Sequence, residues 1–103
     1  MEKTELETKF ETELHKKIIE TKILYGYNAT AFTQMLQEKG GVNTAKTLIA
    51  KEMKGVLSDG FVKVAYELNR KDLTMEDSVI KEEYQNLFTE DEVEFCKRLL
   101  DVE

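Results

Sequence analysis

Apolar side chains recur at helical spacing along most of the chain. Leu6, Phe10, Leu14 and Ile18 stand at every fourth position among charged residues, the stripe of one helical face. A single long helix is therefore predicted over about residues 4–25. Ile19 and Ile23 fall on the other side of it, at about 100° per residue, so the second half is apolar on two faces. Either the body of the protein wraps around that half, or one face meets another chain. The first half interleaves Glu5, Glu7, Glu11 and Glu13 with lysines. It reads as a protruding arm over residues 1–22 with one narrow apolar stripe, suited to pairing with its own copy in a dimer.

Residues 27–53 read as two short helices joined at Gly40-Gly41. Asn28 suits an N-cap, with Tyr27 and Phe32 at staple positions, and Phe32, Met35 and Leu36 share a face. A glycine ends this helix, and Asn43 or Thr44 restarts the chain with Ala45, Leu48, Ile49 and Met53 turned inward. Neither helix is long enough to hold alone, since isolated helices under roughly 12–15 residues are marginal in water. Further on, Ser58 or Asp59 caps a segment whose inner face is Phe61, Val64, Ala65 and Leu68. Thr74 caps the next, lined by Val79, Ile80, Tyr84, Leu87 and Phe88, with a break near residues 81–83. Thr89 and Glu92 match a capping box for a last helix that buries Val93, Cys96, Leu99 and Leu100. No segment alternates with period two. The pattern thus predicts one all-α domain over residues 1–103, a compact bundle of about six helices with a long first helix followed by short ones.

Charge changes this picture more through its distribution than through its total of −6. Residues 1–33 carry 5 basic and 6 acidic side chains, residues 34–72 carry 7 and 5, and residues 73–103 carry 3 and 10. The acidic last third opposes contact with nucleic acid or anionic lipid through that surface, although acidic residues in a first turn also simply favour the helix dipole. The lone cysteine, Cys96, cannot form an internal bridge and sits on an apolar face. The start, MEKTELETKF, has no apolar signal core, and no stretch approaches the about 18 apolar residues of a membrane span. Together these suggest a cytoplasmic protein that does not insert in membranes.

Candidate chemistry is sparse. His15 is the only histidine and no partner for it can be placed, so no catalytic residue, metal site or cofactor is assigned. Ser58-Asp59-Gly60 lacks the preceding strand of a nucleophile elbow, and Gly40-Gly41 lacks the rest of a phosphate-binding motif. The sharper idea is a helix-turn-helix in which Asn43, Thr44, Lys46, Thr47, Lys51 and Lys54 face nucleic acid, with Lys39 and Lys63 near phosphates. Against it stand the two-glycine turn, the absence of arginine on the second helix and the acidic total.

Gly26-Tyr27-Asn28 with Thr30 and Phe32, Gly40-Gly41 with Ala45-Lys46 and Leu48, Ser58-Asp59-Gly60-Phe61, Asp72-Leu73-Thr74 with Glu76, Tyr84, and Leu87-Phe88-Thr89 with Glu92 form an ordered frame. It resembles a family of small uncharacterised bacterial proteins whose segments also resemble the ends of larger proteins, some of them like nucleases or other factors of defence against foreign DNA. The frame covers about residues 23–100, departs from the family's expected proline at Ala29, and consists of caps, turns and core positions. It implies a common fold rather than a common activity. The expectation that follows is a non-enzymatic helical module that binds a protein partner or a second copy of itself through Leu6, Phe10, Ile19, Ile23, Tyr25 and Tyr27. A link to bacterial or phage defence or counter-defence follows from the resemblance alone. Nucleic-acid binding through residues 43–54 is the alternative.

Overall fold

Thr4 opens the first helix by a reciprocal cap. Its hydroxyl accepts the Glu7 amide at 3.1 Å, and the Glu7 carboxylate accepts the Thr4 amide at 3.0 Å. In the computed structural model, which describes residues 3–101, this helix, α1 (Glu5–Tyr25), runs unbroken past Lys16 and Lys17. Gly26, at φ 69°, takes the left-handed conformation that ends it and donates its N–H to the Lys22 carbonyl at 2.8 Å.

The remaining helices are short: α2 (Thr30–Lys39), α3 (Gly41–Met53), α4 (Asp59–Phe61) continuing as a π-helical turn (Val62–Glu67), α5 (Met75–Val79) and α6 (Glu90–Leu99). Two 3₁₀ segments, Lys71–Leu73 and Glu82–Leu87, sit before and after α5. The fold is all-α, with no strand among the described residues. Three expected caps are in place: Ser58 Oγ accepts from Phe61, Thr74 Oγ1 from Asp77, and Thr89 and Glu92 close a complete capping box. The break expected near residues 81–83 falls at Lys81, whose backbone is extended.

Two details of the central pair depart from expectation. Asn28 does not cap α2; Ala29 holds the N-cap position without a side-chain bond, and Thr33 Oγ1 donates to the Ala29 carbonyl at 2.7 Å instead. Helix α3 begins at Gly41, directly after Gly40, rather than at Asn43 or Thr44. The cause lies on α1. Glu11 Oε1 accepts the Gly41 amide at 2.7 Å and the Lys3 ammonium at 2.8 Å, so a carboxylate from another helix occupies the N-terminus of α3. The approach is close: a Cβ on Gly41 would stand 3.1 Å from the Glu11 Cα and 3.3 Å from the Phe10 ring.

The core is organised around Phe10, which is wholly buried and meets Tyr84 and Phe88 edge-on at centroid distances of 5.2 and 5.3 Å. Leu14, Leu36, Ala45, Ile49, Val79, Val93 and Cys96 fill the space around this trio, with Leu6 and Ile18 packed at its margin. A protruding arm over residues 1–22 is therefore not what forms. The charged first half of α1 is the half locked into the core, because its one apolar stripe lies along α3 and α5. Met1 and Glu2 of that region lie outside the described residues, as do Val102 and Glu103. Beside the aromatic trio, Glu13 ties α1 to the second half of the chain. It accepts from Ser78 Oγ at 2.6 Å, Tyr84 OH at 3.2 Å and Lys81 Nζ at 2.9 Å, while the neighbouring Lys17 donates to the Thr74 carbonyl at 2.8 Å.

Candidate functional site

The far end of α1 runs beyond this core. Ile19 is 57% exposed, Ile23 76%, Leu24 53% and Tyr25 41%. Thr21, on the inner side, is buried, and its hydroxyl donates to the Lys17 carbonyl, so the body covers one face here and stops. Of the two readings of the two-faced half, wrapping is excluded: Ile19 and Ile23 open to solvent. Leu24 lies within about 60° of the Thr21 direction, yet it too is uncovered. Tyr25 is steadied rather than free. Its hydroxyl accepts from Arg70 at 2.9 Å, and that guanidinium, itself paired with Asp72, sits 5.8 Å from the ring centre.

Of the six residues expected to meet a partner, Ile19, Ile23 and Tyr25 thus share this exposed end. Phe10 does not: it is the centre of the core. Leu6 packs at the core margin, and Tyr27 is half-buried, its ring about 6 Å from the Lys63 ammonium. Of the residues assigned to nucleic-acid contact, Thr44 is fully buried. Lys46 is half-buried and engaged, its ammonium 2.7 Å from Glu92 and 5.4 Å from the Phe88 ring centre. Asn43 and Thr47 bond to carbonyls of their own turns, Lys39 and Asn43 respectively. Lys51 and Lys54 remain exposed.

A cavity of about 590 Å³ opens between the start of α2, the inner side of α3 and the turn into α4. That volume falls within the roughly 300–1,000 Å³ of small-molecule sites. Its walls are largely apolar, including Phe32, Met35, Leu48, Leu57, Phe61 and Val64, with Ser58, Asp59, Thr74 and Glu76 giving it a polar side. Glu76 is 2% exposed and Glu52 behind it 3%. One oxygen of each, Glu76 Oε2 and Glu52 Oε1, has no partner among the described residues, while Glu52 Oε2 is offered the Ser58 amide at a long 3.4 Å. Burial, and then the bond and charge of Glu52, hold the Glu76 carboxyl protonated well above the usual carboxylate range. Glu76 thus turns a protonated, incompletely bonded carboxyl toward a largely apolar wall, with Glu52 buried behind it.

Pattern reading missed this pair by one residue of rotation. Met53 was expected on the inner face of α3 but is 43% exposed, and Glu52 is inside in its place. The signal was present, since Glu52 stands three residues after Ile49 and seven after Ala45, both fully buried. Cys96, on the neighbouring α6, is a packed core residue. Burial, reinforced by the charges of Glu76, Glu52 and Glu92, pushes its thiol up and away from the thiolate that reactivity needs. No helix among the described residues is long and apolar enough to cross a membrane. Compared with known protein families, curated proteins and solved structures, the chain matches none.

Proposed function

We propose that this chain is a non-enzymatic interaction module that binds a protein partner, a second copy of itself included, through the end of α1. One observation carries the reading: Ile19, Ile23, Leu24 and Tyr25 are large apolar side chains left open within seven consecutive residues. Scattered exposed apolar residues are ordinary, but a cluster at a projecting helix end is the composition of a contact surface. The Arg70 clamp on Tyr25 supports it by fixing an aromatic side chain before contact, which lowers the entropy lost on binding. A role in bacterial or phage defence or counter-defence is proposed from the resemblance over residues 23–100. The nucleic-acid alternative retains Asn43, Thr47, Lys51 and Lys54, and no observation favours it.

The test is light scattering coupled to size-exclusion chromatography on the full chain and on an Ile19→Asp, Ile23→Asp variant, followed by affinity capture with both. Deleting residues 1–14 would be the wrong control, because it removes Phe10 and Leu14 from the core. A dimer or a captured protein that the double variant loses, with its helical signal intact, supports the reading. A monomer that retains no protein, or equal retention by both forms, overturns it.

A further inference from the structure

The cavity has features that packing alone does not require. Replacing a buried ionic pair with apolar residues is commonly neutral or stabilising, and here two carboxyl groups, not an ion pair, are buried together. Glu76 lines the cavity beside walls of Phe32, Leu48, Phe61 and Val64 with one oxygen unpartnered, and Glu52 behind it also has one. We propose that the cavity binds a protonated amine carried on an apolar chain, with the ammonium set against the Glu76 carboxyl, which Glu52 backs, and the chain along those four side chains. A primary ammonium offers three donors and one positive charge, which is what unpartnered carboxyl oxygens lack. Its apolar chain matches the wall, and the volume admits a chain of about eight carbons.

The charged and titratable groups around the pair set its pH dependence. Glu52 and the rim residue Lys51 come from α3, Asp59 from α4, Lys17 from α1 and Cys96 from α6. Lys17 favours ionisation of Glu76 weakly, whereas burial and Glu52 oppose it strongly. An incoming ammonium reverses that balance, so Glu76 releases its proton as the amine binds. Affinity then rises with pH for as long as the alkylamine itself stays protonated.

Octylammonium chloride, octanol and octanoate, titrated into the full chain by calorimetry and by amide-resolved NMR, test this. Octylammonium is expected to bind roughly 10–100-fold more tightly than octanol, the margin of a charge-assisted hydrogen bond, and octanoate not at all. Shifts should map to the amides of Ser58, Phe61, Met75 and Glu76, and the heat should differ between buffers of different ionisation enthalpy. In Glu76→Gln the preference over octanol should fall to roughly threefold or less; if that variant fails to fold, Glu52→Gln serves as the same arm. Equal affinity for octanol, shifts that map elsewhere, no binding of octylammonium, or a full preference retained in the glutamine variant each overturns the proposal.

Discussion

The Glu11 carboxylate caps a helix to which it does not belong, accepting the Gly41 amide 2.7 Å away at the N-terminus of α3. Helix α3 has no side-chain cap of its own, so this bond and the Lys3 ammonium on the same oxygen fix where α3 starts and how it lies on α1. Glu11→Ala should lower stability by about 0.5–2 kcal/mol, the cost of losing a helix cap. Gly41→Ala should lower it by roughly 1–3 kcal/mol for a different reason, since its Cβ would press on the α1 backbone 3.1 Å away. Urea denaturation of each single variant and of the double variant checks both. Because the two residues touch, their effects should not add, and simple additivity would show that the contact is absent.

The two halves of α1 should respond to substitution in opposite ways. Phe10→Ala empties the centre of the aromatic trio and is expected to cost about 3–5 kcal/mol. Ile23→Ser, at a position 76% exposed, should stay within about 0.5 kcal/mol of the parent as a monomer. Thermal and urea melts of the two variants decide it. A tolerant Phe10 with a sensitive Ile23 would mean that the first half is an arm after all.

Much of this fold was legible because local rules and tertiary contacts agree at the relevant positions. Ser58, Thr74 and Thr89 announce helix starts by chemistry that acts within three residues, and each caps where it is read to. The spacing of Leu6, Phe10, Leu14 and Ile18 correctly gives the inner side of α1. What spacing cannot give is where along that axis the rest of the molecule ends, which is why the arm was assigned to the wrong half. Gly41 starts α3 early because a carboxylate thirty positions away supplies what local residues would otherwise provide; at α2 the N-cap falls at Ala29 and Asn28 makes no cap bond. The two-faced pattern picks out Ile19 and Ile23 but leaves open whether they are wrapped or exposed, and their exposure is seen only in the structure. The Glu52 and Glu76 pair does not, because an acidic residue on an inner face looks like an error of phase until its partner from another helix is in place.

Lys46 links the nucleic-acid question to stability. Its ammonium pairs with Glu92, which also completes the α6 capping box, so Lys46→Glu places like charges at a helix start. The variant should lose roughly 1 kcal/mol of stability, more than the lost exposed pair alone. Any weakening of binding it causes would be ambiguous. Lys51→Glu is the clean probe: this residue is exposed and should leave the melt unchanged within about 0.5 kcal/mol. If Lys51→Glu abolishes a salt-sensitive mobility shift of a short duplex, the alternative reading is revived; no shift in the parent chain closes it.

Glu13 and Glu76 should give the stability curve two slopes of opposite sign. Burial pushes the Glu13 carboxyl up, but the bonds from Ser78 and Lys81 and the lysine charges outweigh it and hold the group below its ordinary value. A carboxyl lowered in the folded state contributes stability that is present above its unfolded value and lost as pH falls through the folded one, that is, below about 4.5. Glu76 works the other way. Raised by burial and by Glu52, it contributes stability that is complete below its unfolded value and lost as pH rises toward and through the folded one. Glu76→Gln keeps a donor for Glu52 and removes the second ionisation, so it should stabilise the chain by about 0.5–2 kcal/mol near pH 7 and by almost nothing near pH 4. Glu13→Gln should cost about 1–3 kcal/mol near pH 7, where it leaves Lys81 without its carboxylate, and progressively less below about pH 4.5. Urea melts of the parent and both variants at about pH 4, 5.5 and 7 separate the slopes. A gain for Glu76→Gln that is the same at every pH would mean that the substitution acts through packing and that burial beside Glu52 does not hold the Glu76 carboxyl protonated.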